Sequence, residues 1–367
     1  MVAGASLATG SGSAARGEPA PIRILVVDDS LVVRTVLSRV IEPEADMEVV
    51  ARVASGELAL AELARHPADV VLLDLEMPGM GGLEALPRIL ALPERPAVLV
   101  VSTLTEEGAE HTLAALAMGA ADTMLKPRSG QFDRAYRQSL LDRIRALASA
   151  RRAGPVAPVP RPARRLPALA LRAGVQPEVV AIGASTGGIH ALAVLLRHLS
   201  PLARQPILVV QHLPASFAAV FARQLQLNSG RPTMVASEGM TLTPGHIYVA
   251  GGEAHLVVRR SGQTVTLASE HGRAPSGCTP SVDPLLSSLA RTFGGRALAV
   301  VLSGMGRDGA LGAAELAARG GRILVQDQAS SAVWGMPRAI ADAGLADAVL
   351  PPDQLAARIA LYCGAGA

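Results

Sequence analysis

The sequence predicts two α/β units, each built on a parallel sheet with helices on its faces. Three observations lead there. Short apolar runs alternate with helical stretches along both halves of the 367-residue chain, the pattern of βα units in doubly wound sheets. Many of those runs end in acidic, hydroxyl or glycine residues, as strands do where they open into a ligand crevice. Between the halves, residues 151–172 hold Pro155, Pro158, Pro160, Pro162 and Pro167 and no acidic residue, a composition that favours an extended, semi-rigid connection.

In the first half the predicted strands are Ile22–Val27, Glu48–Val53, Val70–Leu73, Ala97–Val101 and Asp122–Leu125, with a last helix from about Gln131 to Ala150. Five βα units with short connections imply a five-stranded parallel sheet covered on both faces. The second half repeats the logic with Val179–Ile182, Ile207–Val210, Ala297–Leu302 and Arg322–Val325. Between the second and third of these, Ile247–Ala250, His255–Arg259 and Thr264–Leu267 read as short antiparallel strands or hairpins inserted into or flanking the sheet. The expected organisation is a disordered tail over 1–21, a first domain over 22–145, a Pro/Arg-rich linker over 146–176 and a second domain over 177–367.

Composition narrows the class. Hydrophobic residues make up 50% of the chain and aromatics 2%, so the cores must be built from Ala, Leu, Val and Ile. No apolar run approaches the roughly 20 residues of a membrane helix, and Met1 to Pro21 lacks the apolar core of a secretory signal. Cys278 and Cys363 are the two cysteines, which gives neither a disulfide framework nor a metal-ligand spacing. A cytoplasmic protein without direct membrane insertion is expected. The net charge is +3, yet Arg151, Arg152, Arg161, Arg164, Arg165 and Arg172 all fall in the linker. The rest of the chain is net negative, which argues against a nucleic-acid partner.

Asp28 and Asp29 end the first strand and Asp74 the third. Carboxylates gathered at strand ends repel one another unless a cation sits among them, and oxygen-only donors favour Mg²⁺. Lys126 follows the fifth strand and Ser102 ends the fourth; both suit a phosphoryl group held on Asp74. Taken singly, each is an ordinary polar residue at a strand end. As a set, Asp28-Asp29, Asp74-Leu75-Glu76-Met77-Pro78-Gly79-Met80, Ser102 and Lys126-Pro127 resemble the receiver domain of two-component response regulators, over about residues 22–145. The resemblance implies a flavodoxin-like fold and Asp74 phosphorylated by a histidine kinase. It also implies Mg²⁺ on Asp28, Asp29, Asp74 and the Glu76 carbonyl, with Ser102 and Lys126 sensing phosphate. Receivers commonly carry an aromatic switch residue three positions before the lysine; Thr123 stands there.

In the second half Gly183-Ala184-Ser185-Thr186-Gly187-Gly188 follows a predicted strand and opens the helical stretch Ile189 to His198. This is a G-x-S-x-G turn, which lifts a serine oxygen beside helix N-terminal amides. A serine hydroxyl needs a base and an orienting acid. His212 ends the strand Ile207–Val210, and Asp308 lies in Ser303-Gly304-Met305-Gly306-Arg307-Asp308-Gly309 after Ala297–Leu302. The chain order Ser…His…Asp differs from that of the α/β-hydrolases, chymotrypsin and subtilisin. Read blandly, the serine marks a tight turn, the histidine a satisfied strand end and the aspartate a helix cap. A sharper competitor is that Gly304–Gly309 matches G-x-G-x-x-G, with Asp327 ending the next strand as a ribose-binding acid would. That nucleotide reading leaves Ser185 and His212 without a role.

These motifs, with Gln211-His212-Leu213-Pro214, Pro280-Ser281-Val282-Asp283 and Gln326-Asp327…Val333-Trp334-Gly335-Met336-Pro337, resemble the chemotaxis protein-glutamate methylesterase/glutaminase family, a receiver fused to a hydrolase. The resemblance implies hydrolysis of glutamate methyl esters, and deamidation of glutamines, on the cytoplasmic helices of methyl-accepting chemoreceptors. Ser185 would be the nucleophile, His212 the base and Asp308 its orienter, with backbone amides of Thr186 and Met305 at the oxyanion and no cofactor for the hydrolysis. Ser276-Gly277-Cys278-Thr279 precedes Pro280 where the family often has a basic residue, and Gln328 stands where an acid is frequent. The alternatives are a receiver-gated binding module without catalysis and a nucleotide-dependent enzyme; a DNA-binding output would be basic and smaller.

Overall fold

The computed structural model describes residues 20–103, 105–126, 133–152 and 176–364. Most of the predicted tail and of the linker, with Pro127 and Gln131, lie outside them. The first unit alternates β1 (Ile22–Val27), α1 (Leu31–Ile41), β2 (Met47–Val53), α2 (Gly56–Arg65), β3 (Val70–Leu73), α3 (Gly82–Leu90), β4 (Ala97–Ser102), α4 (Glu106–Met118), β5 (Asp122–Leu125) and α5 (Arg134–Arg152). Its five strands are parallel in the order β2-β1-β3-β4-β5. Ser30, Ser55 and Thr105 accept hydrogen bonds from first-turn amides and so fix the starts of α1, α2 and α4.

The second unit comprises β6 (Val179–Ala184), α6 (Gly188–His198), β7 (Ile207–Gln211), α7 (Ala218–Ser229), β8 (Thr233–Val235), β9 (Ile247–Val249), β10 (His255–Ser261), β11 (Thr264–Glu270), α8 (Val282–Phe293), β12 (Ala297–Val301), α9 (Ala310–Ala318), β13 (Arg322–Gln326), α10 (Met336–Asp342), β14 (Ala348–Leu350) and α11 (Pro352–Tyr362). Seven of its strands form one parallel sheet, β14-β13-β12-β6-β7-β9-β8. The strand order reverses between β6 and β12, so the carboxyl ends of β6, β7 and β12 open a crevice there.

The antiparallel hairpin expected in the insertion is β10–β11. Ile247–Val249 differs from that expectation, because it pairs parallel with both β7 and β8. Its three buried residues, Ile247, Tyr248 and Val249, belong to the sheet core. The short edge strands β8 and β14 had no counterpart in the sequence reading.

α5 runs two residues past the expected Ala150, and two of the arginines assigned to the linker belong to it. Arg151 and Arg152 pair with Asp69 at 2.6 and 3.1 Å, while Asp69 also accepts from the Arg23 amide at 3.0 Å. One carboxylate thus ties the last turn of α5 to the start of β1, and cations there complement the helix dipole. Removing it strands a part-buried arginine and an amide. Asp69→Ala is expected to cost about 1–3 kcal/mol, read as a lower urea midpoint for the full chain.

Candidate active site

Two crevices lie at the carboxyl ends of the two sheets. In the first, Asp28 and Asp74 are almost fully buried and Asp29 is exposed. Oxygen atoms of the three lie within 4.8 Å of one another. The Lys126 ammonium sits 2.6 Å from Asp74 Oδ2 and 3.0 Å from Asp28 Oδ2. The Glu76 amide donates to Asp74 Oδ1 at 3.2 Å, which brings the Glu76 backbone beside the cluster. Burial pushes the Asp74 carboxyl up to about 6; Lys126 works against that rise and the Asp28 charge adds to it. Ser102 is buried at the end of β4, and its hydroxyl has no partner among the described residues.

In the second crevice, β6 delivers Ser185 onto a turn that begins α6. Gly187 holds φ +75°, and a Cβ there would collide with Ala332 and come within 2.8 Å of Ser303 Oγ. Any L side chain would be strained by both the dihedral and the contact. The turn is fixed from three sides. Ser185 N–H donates to the Ser303 carbonyl at 3.0 Å, the Ser185 carbonyl accepts from Gln211 Nε2 at 3.0 Å, and Gly187 N–H donates to the Ala121 carbonyl of the first unit at 2.6 Å.

The sheet register carries His212 to the same place. Ala184 is opposite Gln211, and His212 N–H bonds the Ala184 carbonyl at 3.1 Å. Its Nε2 lies 2.8 Å from Asp308 Oδ2. Since an ionised carboxylate only accepts, Nε2 bears the proton and Nδ1 is the free nitrogen whenever the ring is neutral. Asp308 also accepts from Ser281 Oγ at 2.6 Å, Val282 N–H at 2.8 Å and Gly309 N–H at 3.0 Å. Burial opposes its ionisation, but the bonds from His212, Ser281 and Val282 hold its carboxyl well below the usual range.

Ser281 and Cys278 are functional neighbours that residue patterns did not single out. Ser281 lies inside a motif quoted for its resemblance alone. The Cys278 sulfur is within 4.8 Å of the His212 nitrogen and an Asp308 oxygen. Their only sequence signal is nearness to Pro280 and Asp283; contact with His212, distant along the chain, needs the fold. The nucleotide reading of the glycine loop loses ground here. A Cβ on Gly304 would meet Met336 Sδ and Ser185 Cβ, the latter at 2.9 Å, so its bareness serves packing against the serine. Asp327 is occupied by the Ser330 amide and hydroxyl.

A CheB methylesterase family model matches residues 180–359, and a response regulator receiver domain model matches 24–134. A protein-glutamate methylesterase/protein-glutamine glutaminase from Azospirillum brasilense is 40% identical over 358 residues, covering 90% of both chains. The chain belongs to this methylesterase/glutaminase family. A second relative, protein-glutamate methylesterase/protein-glutamine glutaminase 2 of Caulobacter vibrioides, is 45% identical and covers 92% of this chain and 98% of its own. Among solved structures, the Thermotoga maritima CheB methylesterase catalytic domain is similar at 32% identity and a TM-score of 0.49, covering 50% of this chain and 98% of that one. Family membership makes the first unit a receiver and the second a methylesterase domain. Among the described residues no helix is long and apolar enough to cross a membrane.

His212 titrates far from an ordinary histidine. Burial alone would lower its pKa; hydrogen bonds and charge from Asp308 and Cys278 outweigh that and push it up to about 9. A folded-state pKa above the unfolded value of about 6.5 adds stability below pH 6.5, and this stability is lost as pH rises through about 9. NMR titration of the His212 ring should place its midpoint well above neutrality, and Cys278→Ala should move it down. A midpoint near 6.5 in both proteins would refute the assignment.

Proposed function

We propose that the chain hydrolyses glutamate methyl esters, and deamidates glutamines, on chemoreceptor helices, with Ser185 as nucleophile, His212 as base and Asp308 as its orienter. The observation that carries this reading is the Asp308–His212 bond at 2.8 Å beside a serine held on a tight turn that only glycine allows at position 187. Ser185 Oγ attacks the side-chain carbonyl while His212 Nδ1, in the neutral ring, takes its proton. With the pKa pushed up to about 9 that form is the minority at neutral pH, so the rate rises with pH toward that value. Asp308 stabilises the imidazolium. The tetrahedral intermediate collapses to an acyl-serine, and His212 returns the proton to the departing methoxide or amide nitrogen. Water then repeats the sequence and frees the glutamate. Among the described residues neither Thr186 N–H nor Met305 N–H donates a hydrogen bond, which leaves both for the oxyanion.

A receiver implies Mg²⁺-dependent phosphorylation by a histidine kinase. The donor set fits the ion: three carboxylates converge, all oxygen, and Lys126 pairs with two of them, Asp28 and Asp74. Asp28, Asp29, Asp74 and the Glu76 carbonyl would hold it, and it would neutralise charge on the incoming phosphoryl group. Ser102 offers an unpartnered hydroxyl and Lys126 a cation to the phosphoryl oxygens.

The receiver covers the nucleophile turn. Thr186 Oγ1 donates to Asp122 Oδ2 at 2.6 Å, and α4 packs on α6 and α7, where Leu113 and Leu116 share a buried cluster with Ile189, Val220 and Phe221. Phosphorylation of Asp74 relieves this cover, so the resting enzyme is slow. Activation of tenfold needs about 1.4 kcal/mol of preference for the open state.

Two measurements test these roles. Methanol release from methylated receptor membranes should fall by roughly 10³-fold or more in Ser185→Ala; retained release would exclude Ser185 as nucleophile. Asp122→Ala removes a charge-assisted hydrogen bond from the closed state. Without phosphodonor it should run about tenfold faster than the parent, and an unchanged rate would mean this contact does not hold the enzyme shut.

A further inference from the structure

Beyond hydrolysis, three unlike donor groups meet in the crevice. The Cys278 sulfur, a His212 ring nitrogen and an Asp308 oxygen all lie within 4.8 Å of one another. Thiolate, imidazole and carboxylate together are a zinc ligand set, whereas Mg²⁺ and Ca²⁺ select oxygen. Donors around a tetrahedral zinc, at about 2.0–2.3 Å from the ion, stand roughly 3.3–3.7 Å apart, so these three need only small side-chain movements to close on one.

The surroundings favour the same ion. Asp308 is oriented from behind by Ser281 Oγ, Val282 N–H and Gly309 N–H. Those donors stay in place when the His212 bond opens, which is how outer-shell bonds steer a metal-binding carboxylate. The loop bearing the thiol is braced as well: the Cys278 amide donates to Ser276 Oγ, which itself donates to Ser281 Oγ. Cys278 and His212 both keep part of their surface in contact with solvent, so the two donors are not sealed from an ion.

We propose that His212, Cys278 and Asp308 form a reversible binding site for a zinc-class divalent ion, and that occupancy switches the hydrolase off. An ion bound between the ring and Asp308 takes the Nε2 position, so the neutral ring carries its proton on Nδ1 and has no lone pair left to accept from Ser185, and Asp308 is drawn away from its orienting role. The inhibitory consequence rests on His212 being the base; binding of the ion does not.

The test uses the full chain with Co²⁺ and Zn²⁺ as probes. Co²⁺ bound through Cys278 gives a thiolate-to-cobalt charge-transfer band in the near ultraviolet. Co²⁺ on the receiver carboxylates has no sulfur ligand and gives none. The band should reach one site per chain, vanish in Cys278→Ser, survive in Cys363→Ser, and be displaced by Zn²⁺. Zn²⁺ should inhibit methanol release at least tenfold less potently in Cys278→Ser, each protein being referred to its own metal-free rate. No thiolate band, or a band lost in Cys363→Ser instead, would overturn the site. A Cys278-dependent band with hydrolysis unimpaired would leave the site standing and remove His212 from the role of base.

Discussion

Asp308 is almost wholly withdrawn from water, and an ionised carboxylate is tolerated there because donors converge on it from three segments of chain. His212 comes from the end of β7, Ser281 and Val282 from the start of α8, and Gly309 from its own loop. An isolated buried charge costs several kcal/mol, and loss of one partner from a satisfied cluster is correspondingly severe. The approach of α8 to the sheet follows from this requirement: its first amides must reach Asp308. Close packing completes the arrangement, with Val282 filling the space against Gly183 and Gly309. The motif glycines and the acid belong to one packing solution, with the serine turn on its surface.

The same turn is where the two units communicate. β5 begins at Asp122, bonded to Thr186, and leads to Lys126, bonded to Asp74. A four-residue strand spans roughly 13 Å, so Asp74 and the Ser185 turn are joined through one short element. Thr123 lies on it, and its hydroxyl is buried with no partner among the described residues. Arg143 contacts both Asp122 and the Thr123 carbonyl. Polar contacts therefore surround the position where receivers commonly place a mobile aromatic.

Regular structure was legible wherever the chain is repetitive. The runs Ile22–Val27, Val70–Leu73 and Asp122–Leu125 appear with their expected bounds, because each is a short, mainly apolar stretch closed at its carboxyl end by a charged residue, Asp28, Asp74 or Lys126. β8 and β14 were illegible for the opposite reason: three residues at a sheet edge, half exposed, carry no pattern. β9 was seen as a strand but not in its pairing, since parallel and antiparallel partners place the same demand on three apolar residues. That Ser185, His212 and Asp308 meet at one crevice was legible because each follows the carboxyl end of a strand of the same sheet. Gln211, Ser281 and Cys278 act through side-chain direction, which spacing does not encode. Arg151 and Arg152 show the limit of composition, as a basic run can begin inside the last turn of a helix and give no sign of where that helix ends.

The unfamiliar order of serine, histidine and acid is a consequence of sheet topology. β6 lies between β12 and β7, so Ser185, just past its carboxyl end, is flanked on one side by the strand that leads to His212 and on the other by the strand that leads to Asp308. The loop after β12 folds back until the Ser303 carbonyl accepts from Ser185 N–H, and this brings Asp308 across to His212. What proton transfer requires is distance and orientation at one crevice, and any chain order that places three strand ends there meets the requirement. A serine on the central strand has a further result. Its turn projects where a second domain can reach it, and the receiver's Ala121 and Asp122 do so through one backbone and one side-chain bond. Regulation by a covering domain is thus open to this sheet order without any change in the catalytic groups.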